Sequence, residues 1–600
     1  MNPNRQPASV YEEQLAHFQS VCYGLRQKSK RYGWIRLLSI LVPFILAYAF
    51  LPHQLSWFLA CMLILIILFL YVVSVDTNNG QLIQHYERLI AINEEELKIL
   101  NHSYTDRDDG KEWEPALHAY AADMDLFGKF SLYQYINRCE SQQGQSLLAD
   151  HLLEPLPFEH IKEYQEAIRE LEPQLEWRQQ LQSFARSAKF SLSTEERIKG
   201  WLQQEDKTIN TRFWKPVSYI YPFIPLGAVI FYSWELISLP VFLLVMFLCY
   251  SFATQYSKRV NAIHGNVSRI EPEIYSLQQQ ILHLEKQPFK SALLQQMQKL
   301  IQGTHQKASA ELLALKKILY RFDFRLNMLM GPLMNIFLLW DIRQMISMQS
   351  WKNQNKKLLR TWIEGMAAME VLNSLAVLAF NHPQYCFPNF SGADFFFEAK
   401  GLGHPLIPSF RRIDNDCSIS GTGQIMLITG SNMAGKSTFL RSVGVNTVLA
   451  MMGAPVCASS LTLSPTRLIS SMRIADNLAE NTSTFYAELK KLQMIIGKVN
   501  RHEKIFILLD EILRGTNSLD RHTGSAAFLK QLVQEKAVAI VATHDIELSS
   551  LAEEYPAAIH NYHFDVQVSG EELYFDYKLK TGICRSMNAS ILMKKIGIRV

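Results

Sequence analysis

The chain has 600 residues, too many for one ordinary domain at roughly 150 residues each, and 48% of them are apolar, enough for packed cores. Its net charge of +4 demands no polyanionic partner, although a local basic patch stays open. The eight cysteines (Cys22, Cys61, Cys139, Cys249, Cys386, Cys417, Cys457 and Cys584) show no CxxC spacing and no Cys/His cluster, which argues against zinc and for reduced, structural thiols.

Residues 1–33 are expected to be a cytoplasmic N-terminal segment, since the polar start at Met1–Ser20 does not resemble a cleavable signal peptide. Residues 34–75 read as a first transmembrane hairpin. The run 55–75 carries no charge and is long enough to cross a hydrocarbon core of ~30 Å; 34–51 carries only Arg36, and Pro52, His53 and Gln54 connect the two. Residues 76–212 read as the first part of a helical core, with breaks near Asp106–Gly110 and Pro155–Pro157.

A second hairpin is expected over 213–253, from the apolar runs 214–234 and 236–253 with Trp and Tyr crowding their ends, as at a membrane interface. Lys28, Lys30, Arg31 and Arg36 precede the first hairpin, and Arg212, Lys215, Lys258 and Arg259 flank the second, whereas the two turns hold no Lys or Arg. The positive-inside rule then puts four transmembrane helices in the membrane and both termini in the cytoplasm.

Residues 254–387 read as a helical lever and the second part of the core. Ile270, Ile274, Leu277, Ile281 and Leu284 alternate at spacings of four and three, a short a/d seam. It continues the fourth membrane helix until Pro288, and serves either as a lever or dimer contact or as an ordinary core helix. The texture then shifts to Gly, Pro and short apolar runs, so 388–600 is read as a C-terminal α/β domain of the P-loop, ABC-type kind.

Within that domain, residues 425–429 (IMLIT) read as a buried strand, followed at once by Gly430, Ser431, Asn432, Met433, Ala434, Gly435, Lys436 and Ser437, and by a helical run from Thr438. This fits GxxxxGK[ST] in its strand–loop–helix context. The glycines let backbone N–H groups turn inward around phosphates, and the helix N-terminus adds a favourable dipole. Lys436 is expected to reach the β- and γ-phosphates of ATP, and Ser437 to ligate Mg²⁺. The strand 505–511 (IFILLDE) delivers Asp510, read as holding Mg²⁺ through water, and Glu511, read as the general base that orients the attacking water. A third strand, Ala537–Ala542, ends in Thr543, His544 and Asp545, where His544 can contact the γ-phosphate or the attacking water, or be a solvated loop residue.

These residues resemble one family. TGSNMAGKSTFLR (429–441), including Asn432 and Met433, resembles the P-loop of the MutS mismatch-repair family; DEILRGTNSLD (510–520) and ATHDIEL (542–548) resemble its later motifs, and ENTSTFYAEL (480–489) its S-T-F-x-x-E segment. Residues 125–156, 161–181, 369–380 and 401–408 resemble stretches of its core and the approach to its ATPase. The resemblance covers roughly half the chain and implies an ATPase, a homodimer with composite ATP sites in which Ser483 approaches the partner subunit's ATP, and DNA as ligand.

The chain also departs from the family pattern. A membrane hairpin and helices stand where the mismatch-reading domain would lie. Phe396-Phe397-Glu398 matches that domain's tripeptide in a place that reads as a strand. Leu513 replaces a glycine, residues 470–480 look shorter than the corresponding loop, the DNA-clamp insertion looks replaced or shortened around the second hairpin, and no helix-turn-helix or nuclease domain is expected after 584–598. Two other readings are an ABC-type transport ATPase and an ATP-gated membrane scaffold not acting on DNA. Against the first, Thr482, Ser483, Thr484 and Phe485 stand where an LSGGQ-like stretch would be; against the second, Lys436 and Glu511 are intact.

Overall fold

A computed structural model describes all residues except 1–5, 51–54, 204–210, 256–259, 261–264, 266–269, 303–306, 329, 432–433, 473–483, 570–571 and 585–600. The protein is mostly helical up to Asn381, and a C-terminal α/β region follows from Asn389.

Helices Pro7–Phe50 and Leu55–Leu100 pack along each other. Arg26 pairs with Glu87 at 2.6 Å and Arg36 with Asp76 at 2.9 Å, a falling-against-rising register that makes the pair antiparallel. At 1.5 Å per residue each is about 65 Å long, twice a hydrocarbon core. The apolar runs therefore occupy only the tip, where Trp34, Leu38, Ile45, Leu63, Ile67 and Tyr71 are exposed. The connection expected at Pro52, His53 and Gln54 lies outside the described residues. At the other end the pair is docked by polar bonds: Glu96 pairs with Arg138 at 2.5 Å, and Asn381 donates to Glu96 and accepts from the Tyr11 hydroxyl, each at 2.8 Å.

The second apolar region is more broken than its sequence suggests. Thr211–Ile220 is followed by Phe223–Ser233, with the break at Tyr221 and Pro222, and Leu239–Thr254 returns. Proline lacks an N–H and restricts the residue before it, which accounts for the break. Among the described residues three helices are long and apolar enough to cross a membrane: Leu59–Leu100, Thr211–Ser233 and Leu358–Asn381; Leu239–Thr254 is a shorter apolar helix. Leu358–Asn381 is mostly buried within the protein, a core helix despite its composition.

Of the two readings of the seam helix Glu271–Lys286, the packing favours the ordinary core helix. Ile270, Ile274, Leu277, Ile281 and Leu284 are all buried, against the helices Leu175–Ser187 and Ala308–Asp323 of the same chain. Ser276 donates to the Phe184 carbonyl at 2.7 Å, and Ser309 to Glu285 at 2.6 Å. The seam is filled internally, so it is a core helix and offers no dimer contact. A 3.5-residue repeat shows which face is apolar but not what covers it. Most residues between this helix and Thr254 lie outside the described set, including Lys258 and Arg259.

The α/β region holds two sheets. One has four strands in the order β1-β5-β2-β3, with β1 Asn389–Phe390, β2 Phe396–Leu402, β3 Asn415–Ser420 and β5 Ser460–Leu463. Phe396, Phe397 and Glu398 lie on β2, as read from sequence. The other has six, in the order β10-β9-β4-β8-β7-β6, with β4 Ile425–Thr429, β6 Arg467–Ser471, β7 Ile505–Asp510, β8 Val538–Thr543, β9 Ile559–Ser569 and β10 Glu572–Thr581. All its pairings are parallel except β9 with β10. Every residue of β4, β7 and β8 is buried, the continuous apolar pattern of parallel strands covered on both faces.

The helical part is tied to this sheet. Asp123 is buried and receives Ser470 Oγ at 2.7 Å and Lys491 Nζ at 2.6 Å, and Asp125 pairs with Arg441 at 3.2 Å on the helix that follows β4.

Candidate functional site

Parallel strands β4, β7 and β8 end at one edge of the sheet, so the loops that follow them meet. Gly430 leaves β4 at φ 149°, and a Cβ there would sit 2.8 Å from the Phe564 carbonyl oxygen. Gly435 has φ 100° and begins the helix Lys436–Met451. Only glycine meets both demands readily, the positive φ and the close approach.

Lys436 is buried, and its Nζ donates to the carbonyls of Gly430 at 2.8 Å and Ser431 at 2.9 Å. Burial pushes its ammonium down to about 8, against the pull of Asp510 and Glu511. Asp510 closes β7, is buried, and has one carboxylate oxygen, Oδ1, with no hydrogen-bond partner. Glu511 follows at φ 53°, its N–H donating to the Ala542 carbonyl at 2.9 Å. Arg514 Nε pairs with its Oε2 at 2.6 Å, and His544 Nε2 meets its Oε1. Burial alone would raise the Glu511 carboxyl, but His544, Arg514 and Lys436 outweigh it and hold it below the usual carboxylate range. His544 Nδ1 lies 2.9 Å from the Gly430 carbonyl and 3.2 Å from Lys436 Nζ, which closes the ring of contacts.

Lys436 and Glu511 open onto a cavity of about 410 Å³. Ser431, Gly435, Lys436, Ser437, Thr438 and Glu511 line it; Asp510 and His544 stand behind, against Lys436 and Glu511, and Ala434 is buried. Of the remaining residues read from sequence, Asn432, Met433 and Ser483 lie outside the described residues. A buried cation, backbone N–H groups at a helix N-terminus and two carboxylates on one side of a cavity suit a polyanion that carries a divalent metal. The orphaned Asp510 Oδ1 and the half-buried Ser437 hydroxyl are hard oxygen donors, and they fit Mg²⁺.

The far wall was legible only in part: His404 and Ile407 fall in the stretch 401–408 read as the approach to the ATPase, and no motif marks the rest. It comprises His404, Ile407, Arg411 and Ile413 from the β2–β3 connection, with Phe564 of β9 and Tyr577 of β10. Tyr577 sits in an irregularity of the β9–β10 ladder at φ 50°. Asn415 clamps both sides of it, donating to the Tyr577 carbonyl at 3.0 Å and accepting from Leu579 N–H at 2.8 Å. The only signal for Tyr577 in the sequence was the aromatic content of 574–577, and no motif assigns it to this cavity.

Residues 426–596 match the family model for MutS domain V. The chain is also similar to the DNA mismatch repair proteins MutS of Thermotoga sp. (strain RQ2) and Thermotoga petrophila, at 33% and 32% identity over 248 residues. These matches support a MutS-family protein. They cover 41% of this chain and 30% of each relative, so the chain spans less than a third of the curated relatives it matches. The Thermotoga maritima MutS gives the same coverage at 31% identity.

Leu513, read from sequence as replacing a glycine, has a φ of 60°, in the left-handed region that favours glycine. Gly524 makes room for it: a side chain there would meet Leu513 Cδ1 at 2.6 Å.

Proposed function

We propose that this chain is a membrane-anchored MutS-type ATPase that binds and hydrolyses Mg-ATP to drive dimer and conformational changes. The observation that carries the reading is the convergence of Lys436, Asp510, Glu511 and His544 at the cavity edge where β4, β7 and β8 end.

In this reading the loop 430–437 and Lys436 bind the phosphates, while Ser437 and Asp510 hold Mg²⁺, which supplies charge neutralisation when bound. Glu511 accepts a proton from the attacking water, and His544 orients the Glu511 carboxylate. Arg514 keeps that carboxylate ionised. The far wall, with Tyr577 and Phe564, receives the base end of the nucleotide. Ser483 completes the partner subunit's site in a homodimer. The Asp125–Arg441 and Asp123–Lys491 pairs support transmission from the site to the helical core.

The exposed apolar tips support two transmembrane hairpins over 34–75 and 213–253, and the Lys and Arg residues flanking them favour a cytoplasmic ATPase. DNA, mismatched or branched, is the ligand suggested by the relatives' names. Those matches do not favour a transport ATPase or a scaffold.

Membranes carrying the full chain should retain it through a carbonate wash, and the purified protein should hydrolyse ATP in a Lys436-dependent manner. Homoduplex, mismatched and branched DNA should be compared for stimulation across a salt series, because phosphate contacts weaken steeply with salt. Stimulation by none of them would remove DNA from the reading, and release by carbonate would remove the anchor.

A further inference from the structure

Beside the second hairpin lies an apolar segment that is too short to span. The fifteen residues between Arg325 and Asp341 carry no charge. They include the helix Met330–Leu338, which packs on Leu239–Thr254 and Phe223–Ser233. Ile336 and Leu339 join Trp214, Tyr221, Val245 and Cys249 in one apolar cluster. The other side of the segment is bare: Leu326 is 68% exposed, Met328 91% and Leu333 50%. Three large apolar side chains so exposed at the base of an apolar hairpin form a patch that water does not favour.

The two ends of the segment are held together. Arg325 pairs with Asp341 at 3.2 Å, both side chains nearly fully buried. The flanking helices Ala308–Asp323 and Trp340–Asn355 pack on each other, so the chain enters and leaves on the same side. Aromatic groups stand at this mouth, with Tyr320 and Phe324 exposed and Trp340 Nε1 donating to the Arg321 carbonyl at 2.8 Å. That is the placement expected at a headgroup boundary.

Several backbone N–H groups of the described bends are bonded within the segment itself. Asn327 N–H donates to Phe324, Gly331 N–H donates to Asn327, and Asn327 Oδ1 accepts from Met330 N–H at 3.1 Å. At the other end Leu339 N–H donates to the Asn335 carbonyl, and the buried Asn335 Oδ1 accepts from Asp341 N–H at 2.9 Å. A side chain at Gly331 would run into the Arg325 carbonyl, so the turn is closely packed. Backbone polar groups that enter hydrocarbon must be satisfied within the protein, and irregular backbone there must be covered by protein, so the bare turn at Leu326 and Met328 belongs at the headgroup boundary and the helix Met330–Leu338 is the part that enters.

We propose that residues 326–338 are a re-entrant element that dips into the bilayer from the cytoplasmic side, against the second hairpin, with Leu326 and Met328 at the headgroup boundary and phospholipid acyl chains covering Leu333. The element rests on the membrane reading of that hairpin and adds to it a fifth apolar segment that enters without crossing. It would fix the helical core at a set depth and angle to the membrane, as two crossing helices alone would not.

The test uses the full chain in phosphatidylcholine vesicles that contain a phospholipid with a photoactivatable diazirine at the acyl-chain end. After illumination, lipid adducts are mapped by peptide mass spectrometry, with the buried helix Leu358–Asn381 as the background. Adducts on both 330–338 and 239–254, at least several-fold above background, are expected. Adducts on 239–254 with none above background on 330–338 would overturn the re-entrant element and leave the hairpin standing. Adducts on neither would overturn both.

Discussion

The ring of Tyr577 occupies the space that a side chain at Gly435 would need: a Cβ there would lie 3.0 Å from Tyr577 Cδ1. A residue near the end of the sheet thus closes over the loop 430–437, and the Asn415 clamp on its backbone holds it there.

Gly435→Ala should therefore weaken ATP binding by tenfold or more, since it meets both the Tyr577 ring and a φ of 100° that L-residues rarely adopt. Binding of a fluorescent ATP analogue to the purified variant is the check. An unchanged Kd would contradict the packing described.

The Lys436 ammonium should make nucleotide affinity depend on pH. Burial holds its pKa at about 8 before binding, and phosphate oxygens would raise it on binding. The charged form prevails below that value, so affinity should be full there and fall by about tenfold per pH unit above it, as linkage requires. Titrations between pH 7 and 10 would show the break near 8; a flat profile to pH 9.5 would count against the geometry.

A shared site predicts complementation. Ser483→Ala and Lys436→Ala proteins should each hydrolyse ATP poorly alone. Mixed, they form hybrid dimers with one site that has both Lys436 and the partner's serine, and activity should return in part. Equal, low activity before and after mixing, with subunit exchange verified, would argue against Ser483 acting across a dimer.

Removing one partner of the Glu96–Arg138 pair should be costly, because both side chains are almost fully buried. Arg138→Ala leaves the buried Glu96 without its paired guanidinium, with the Asn381 amide and the Arg107 charge remaining, a loss of about 3–5 kcal/mol. Arg138 holds the Glu96 carboxyl below its usual range against the effect of burial, so the stabilisation is present at neutral pH and is lost as pH falls through the lowered value. Denaturant unfolding in detergent at pH 7 measures the effect; a change under 1 kcal/mol would disagree with it.

The loop 430–437 was legible because the phosphate-binding chemistry proposed for it needs fixed residue types at fixed spacing, and β4 and β7 because buried parallel strands read as unbroken apolar runs. Tyr577 was not, because a bulge in the β9–β10 ladder, not a motif, aims it at the cavity. The internal partners of Ile274 and Ile281 were hidden for a related reason: periodicity defines a face, and only tertiary packing decides what covers it. Residues 326–338 escaped notice because nine helical residues fall short of spanning length. Leu358–Asn381 has the composition of a membrane helix and lies in the core, which shows that composition alone does not decide between the two environments.

The central claim is that Glu511 performs the chemistry of a site assembled by Lys436 and Asp510. Its most direct test is Glu511→Gln in the full chain, with ATP binding and ATP turnover measured on the same preparation. Binding within a few-fold of the parent, with turnover reduced at least a hundredfold, is the predicted result. Turnover close to that of the parent protein would contradict it.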